Sequence, residues 1–205
     1  DLLVQRDTLK AKMEELDVPY RHDWQWDDYS PLPTARLDPI HTDEPPEYDL
    51  YGIFFKDIQL NFGESLTNPW IKDIVYRDPV HTSLLLNTKT AAAKGLKAGD
   101  IVKVESPYGR VYGRIGTTEA MHPETLGVSN SLSRLRTTHR NVRHAGGHFN
   151  DMLPCNLRHT DAVTGQPDTA TRVKITRLDD WPQELKEGKS VYDVVDDVAK
   201  GKGAH

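Results

Sequence analysis

The chain has 205 residues and a formal net charge of -5, from 31 acidic against 26 basic side chains, which argues against a general nucleic-acid binder. Its single cysteine, Cys155, excludes an internal disulfide and any cysteine-held metal cluster carried by this chain alone. No apolar run approaches the roughly 18 residues a membrane-spanning helix needs, and 37% hydrophobic residues close one modest core while leaving part of the chain to pack elsewhere.

Residues 1–18 carry a helical pattern, with Asp7 or Thr8 as the cap and Leu9, Met13 and Leu16 along one face. The stretch begins at Asp1 with no Met and no charged-then-apolar leader, so the chain reads as a fragment. Residues 19–47 hold six prolines, which forbid regular structure, interleaved with Tyr20, Trp24, Trp26 and Tyr29. Free linkers have little use for tryptophan, so this is an extended strap that packs on a neighbouring domain. Residues 1–45 are therefore taken as helix and strap, 46–180 as the compact domain and 181–205 as a tail.

Within the compact domain, residues 48–56 (YDLYGIFFK) read as a strand. A polar loop and a short helix around 70–75 follow. Residues 84–117 read as a strand, a helix ending at Gly95, a turn at Lys97-Ala98-Gly99-Asp100 and a hairpin turning at Ser106-Pro107-Tyr108-Gly109. Residues 123–128 turn into another strand, residues 129–170 are polar and poorly periodic, and 171–178 (TRVKITRL) alternate as a closing strand. A short amphipathic helix is expected near 191–198. No internal repeat is visible.

Residues 134–148 (RLRTTHRNVRHAGGH) hold four Arg and three His, and no acid occurs between Glu124 and Asp151. Guanidinium forks suit phosphate and pyrophosphate, and Gly146-Gly147 would let backbone amides approach an anion. A solvated basic loop, or a docking surface for an acidic partner, is an equal alternative. A zinc site from His139, His144 and His148 lacks the paired helical spacing and the companion ligands such sites use. Asn and Ser in loops 61–68 and 129–133 offer both donors and acceptors to a polar ligand edge, although ordinary turn chemistry uses the same residues. Neither GxGxxG nor GxxxxGK[ST] occurs, no Gly-x-Ser-x-Gly elbow supports a hydrolase triad, and Cys155, in MLPCNL, reads as a small core residue.

The ordered set YDLYGIFFK, Asn68-Pro69-Trp70, KGLKAGDIVKVESPYGRV, VSNSLS, Asn150 and TGQPDTATRVKITRL resembles the C-terminal cofactor-binding domain of the molybdopterin oxidoreductases, the dimethyl sulfoxide reductase family, over roughly residues 46–178. The resemblance implies a mainly β fold with short helices, a double-psi β-barrel of the aspartate decarboxylase-like type. It also implies a bound molybdopterin guanine dinucleotide with molybdenum or tungsten. It places Ser65, Thr67 and Asn68 in the first contacting loop, Asn130, His148 and Asn150 at the pterin or its pyrophosphate, and Gln166 near the second pterin. Arg140 and Arg143 are the basic candidates for the pyrophosphates. No residue is assigned to catalysis or to the metal, whose ligand lies upstream in the family, as does any iron–sulfur cluster. Asp168 to Thr171 stand where many members carry a basic contact, so none is expected there.

The implied partners are the remainder of a catalytic subunit and an iron–sulfur electron-transfer subunit, and the implied chemistry is two-electron redox of a small oxyanion or sulfur compound. The competing class is a non-redox double-psi barrel that recruits proteins, in which the basic loop would face a partner. A pyruvoyl enzyme is set aside because the chain has no Gly-Ser pair.

Overall fold

The structure, a computed structural model, describes residues 1–18, 26–32, 40, 45–61, 65, 68–78, 83–129 and 148–183. Helix α1 (Leu2–Glu15) starts earlier than its pattern suggests. The Asp1 carboxylate accepts the Leu3 amide at 3.0 Å and so caps the helix. Thr8, an expected cap, instead donates to the Val4 carbonyl at 2.7 Å from inside the helix. No residue of α1 is buried, and Leu9 and Leu16 remain exposed.

Six strands of the described residues close into a barrel: β1 (Leu50–Phe55), β2 (Leu84–Asn87), β3 (Ile101–Glu105), β4 (Arg110–Thr118), β5 (Thr125–Ser129) and β6 (Ala170–Leu178), in the order β1-β5-β2-β4-β3-β6. Alternation decides which side chains fill it. Val102 and Val104 on β3, Val111 and Ile115 on β4, and Val173 on β6 point inward, with Lys103 and Lys174 among the residues between them. β2 and β5 are buried on both faces and read as continuous apolar runs, LLLN and TLGVS. Leu86, Leu126, Val128, Phe149 and Met152 complete the core.

The pairing pattern is two-fold. Adding three to every strand number maps β1 with β5 onto β4 with β2, both parallel. It likewise maps β1 with β6 onto β4 with β3, both antiparallel. β1, β2 and β3 pair only with β4, β5 and β6. The connectivity repeats although the sequence does not, because burial and hydrogen bonding constrain the pattern and not the residues. The arrangement is the double-psi barrel.

Helix α2 (Pro69–Tyr76) precedes β2 and is capped by Asn68, whose Oδ1 accepts the Trp70 amide at 3.0 Å. Helix α3 (Thr88–Ala93) follows β2 and is capped by the buried Asn87. The strap is described only in part. At residues 26–29 it packs on its own chain: the buried Tyr29 donates its hydroxyl to the Ala162 carbonyl at 2.9 Å. The helix expected near 191–198 lies outside the described residues.

Candidate functional site at one end of the barrel

The register gathers the loops. β1 and β5 end together, with Phe55 opposite Ser129. β6 begins beside them, since Ile53 pairs with Ala170, and Glu105 at the end of β3 pairs with both Arg110 and Lys174. One rim therefore receives the segment after β1, the long segment between β5 and β6, and the 106–109 hairpin turn. Every residue expected to contact a cofactor belongs to one of these segments.

The Lys97-Ala98-Gly99-Asp100 motif lies at the opposite end. There the Gly99 amide donates to the Ile115 carbonyl at 2.8 Å, the Ile115 amide to the Asp100 carbonyl at 2.9 Å, and Asp100 Oδ2 accepts the Lys97 amide at 3.0 Å. Gly99 takes φ +91°, a conformation that side-chain-bearing residues rarely adopt. These hydrogen bonds make the motif a tie between the start of β3 and β4.

In the segment after β1, Ser65 is half-buried and its Oγ accepts the Asn61 amide at 3.1 Å. Asn68 is exposed, and its carboxamide oxygen is committed to the α2 cap. His148 Nδ1 sits 3.1 Å from Asp151 Oδ1 at the start of a 3-10 turn, Phe149–Met152, that buries Phe149 and Met152 in the core and leaves Asn150 exposed. Gln166 is exposed, with its Nε2 3.3 Å from the Pro167 carbonyl. Thr67, Asn130, Arg140 and Arg143 lie outside the described residues, as do His139 and His144 of the zinc alternative. No group of three or more metal-ligating side chains occurs among the described residues. Cys155 is exposed and not a core residue, because the apolar run around it buries Met152 and Pro154 instead.

Three buried polar groups under the rim escaped the sequence. Ser129, at the end of β5, donates its hydroxyl to the Asp57 carboxylate just past the end of β1, and both are buried. Ser106 Oγ donates to the Met152 carbonyl at 2.7 Å and accepts the Tyr108 and Gly109 amides, each at 3.1 Å, so the hairpin tip is tied to the Phe149–Met152 turn. His159, also buried, joins Asp168 Oδ2 at 2.8 Å through Nδ1 and the Tyr108 hydroxyl at 3.2 Å through Nε2. Each pair is distant in sequence or separated by an irregular loop, so no periodicity announces it.

Residues 71–172 match the family model described as the Molydopterin dinucleotide binding domain. This segment belongs to that family. It runs from α2 into β6 and includes most of the rim. The dinucleotide-binding domain is also similar in fold to acetylene hydratase from Pelobacter acetylenicus, at TM-score 0.52 and 17% identity over 65% of this chain. The chain spans 18% of the length of that protein. No curated protein sequence matches it.

The donor set fits such a cofactor. The exposed carboxamides of Asn150 and Gln166 each carry a donor and an acceptor, as do the amide-like edges of a pterin, and His148 immediately precedes the turn that carries Asn150. No helix of the described residues is long and apolar enough to cross a membrane.

Proposed function

We propose that the dinucleotide-binding domain holds a molybdopterin guanine dinucleotide, with molybdenum or tungsten, as part of a larger oxidoreductase acting on a small oxyanion or sulfur compound. The observation that carries this reading is the family match over residues 71–172, coincident with the gathering of the polar loops at one end of the barrel. When bound, the metal and its pterins supply the two-electron chemistry, while the protein supplies binding, orientation and electrostatics. Ser65, Thr67 and Asn68 form the first contacting loop. For Asn68 the contact falls to its amide nitrogen, because the oxygen caps α2. Asn130, His148 and Asn150 meet the pterin or its pyrophosphate, and Asp151 orients the His148 ring. Gln166 addresses the second pterin. Arg140 and Arg143 neutralise pyrophosphate charge from a segment of 18 residues without an acid, 130–147.

Around this domain the reading expects the remainder of a catalytic subunit, which carries the metal ligand, and an iron–sulfur partner for electron transfer. The test is elemental analysis of the natively purified parent protein for molybdenum and tungsten, with pterin fluorescence after acid release. Metal with a guanine-bearing pterin is the expected result. Absence of both would overturn the reading in favour of a protein-recruiting barrel. Arg140→Ala and Arg143→Ala should each lower cofactor content more than turnover per bound metal, and unchanged metal content in both would remove these residues from the site.

A further inference from the structure

The loop between His159 and Asp168 spends its own amides on itself. Asp161 Oδ1 accepts the Val163 amide at 3.1 Å and the Thr164 amide at 2.7 Å. The Gly165 amide donates to the Asp161 carbonyl at 2.8 Å, the Gln166 amide to Thr164 Oγ1 at 3.2 Å, and the Asp161 amide to the Gln166 carbonyl at 2.9 Å. Thr160 and Pro167 form an isolated β-bridge at its base, where the Asp168 amide donates to the His159 carbonyl at 2.8 Å. With the amides of 163–166 engaged, this loop is no anion nest. It offers a ligand its side chains, Gln166 among them.

Two anchors from elsewhere in the chain fix the loop. At the base, the buried His159 spans Asp168 and the Tyr108 hydroxyl, which belongs to the β3–β4 hairpin turn. At the middle, Tyr29 donates to the Ala162 carbonyl at 2.9 Å while Asp28 Oδ2 accepts the Ala162 amide at 3.5 Å, so both polar groups of one peptide position are held by the strap. Tyr29 lies 133 residues away in sequence and is 7% exposed, and Trp26 packs on it with ring centroids 5.8 Å apart. An interaction so distant in sequence must offset the entropy of ordering residues 26–29, and its target is one loop at the end of the barrel where β6 begins.

We infer that Tyr29 and the Tyr108–His159–Asp168 chain are positioning residues that clamp the 159–168 loop and hold Gln166 in place for the cofactor. The inference rests on the functional reading above for what Gln166 meets, and on geometry alone for the clamp. Tyr29→Phe removes one hydroxyl, and His159→Gln removes the imidazole bridge.

Hydrogen exchange on the full chain tests the clamp without any cofactor. Faster exchange confined to the amides of 161–166 in both variants is expected, and unchanged exchange there overturns it. Pterin retained per chain by the natively purified parent protein tests the purpose. Each variant should retain about fivefold less, the equivalent of one net hydrogen bond. Added to Gln166→Ala, Tyr29→Phe should cause no further loss, since it acts through Gln166. A full additional loss would reduce Tyr29 to general stability and overturn the positioning role. A parent protein without pterin sinks the cofactor reading while leaving the clamp to the exchange result.

Discussion

Gly109 lies directly against the backbone of Asp151: a β-carbon at position 109 would stand 1.9 Å from the Asp151 carbonyl oxygen. The contact seats the β3–β4 hairpin on the Phe149–Met152 turn, beside His148 and Asn150. Because the obstacle is backbone, no side-chain rotation relieves it. Gly109→Ala should lower unfolding stability by about 3 kcal/mol, the upper range of overpacking costs, as read by denaturant titration. A loss too small to measure would show that the turn moves freely.

Asn87 serves two elements at once. Its Oδ1 accepts the Lys89 amide at 2.9 Å to cap α3, and its Nδ2 donates to the Met121 carbonyl at 2.7 Å. Asn87→Ala loses the cap and strips Met121 of that donor, for an expected cost of about 2 kcal/mol. Asn87→Asp keeps the cap acceptor but not the donor, so its denaturation midpoint should fall between the two.

Removal of the Ser129 hydroxyl leaves the buried Asp57 carboxylate short of a donor. Ser129→Ala should cost about 2 kcal/mol, in line with hydrogen bonds to charged groups. The double variant Ser129→Ala, Asp57→Asn should recover part of that loss, and thermal unfolding of the four proteins in the cycle measures the coupling.

Thr171 presents the opposite case. Its hydroxyl oxygen is buried on β6 with no hydrogen-bond partner among the described residues. Thr171→Val keeps the shape and deletes the unpaired group, so the chain should gain about 1 kcal/mol. A loss of stability would show that the oxygen has a partner in solution.

Core and surface should separate sharply. Leu86 is fully buried between β4 and β5, and Leu86→Ala should cost about 3 kcal/mol through lost transfer energy and the cavity left behind. Arg77 pairs with Asp73 at 2.8 Å, but both side chains are largely exposed. Arg77→Ala should change stability by less than about 0.5 kcal/mol, as measured by the same titration.

The barrel was legible because its strands follow period-two burial and its turns carry glycine and proline at the positions that need them. IVKVE and TRVKITRL show their inward valines directly, and β2 and β5 stand out as short apolar runs. The start of α1 is hidden in the sequence because Thr8 resembles a cap, although a threonine hydroxyl can equally return its hydrogen bond to the preceding turn. The exposure of Cys155 is hidden because an apolar neighbourhood in sequence does not say which residue of an irregular segment turns outward. The candidate site was legible only as a set of loops. That they share one rim follows from parallel pairing of β1 with β5, a long-range fact that no local pattern encodes. Asp57 with Ser129, and His159 with Tyr108, lie 72 and 51 residues apart and meet only when the barrel closes.

That β1 to β3 pair solely with β4 to β6 has a consequence for how the chain comes to exist as a structure. A ribosome that has released only the first three of these strands has produced none of their ladder partners, since β4, β5 and β6 are still unmade. Apart from the β3–β4 hairpin, sheet formation must wait for distant segments, which makes the fold slow to nucleate and cooperative once begun. A gene divided between Glu105 and Arg110 would encode two polypeptides, neither holding a pair of the six barrel strands that ladder with each other. They would acquire structure only together, as an obligate pair whose stability depends on concentration.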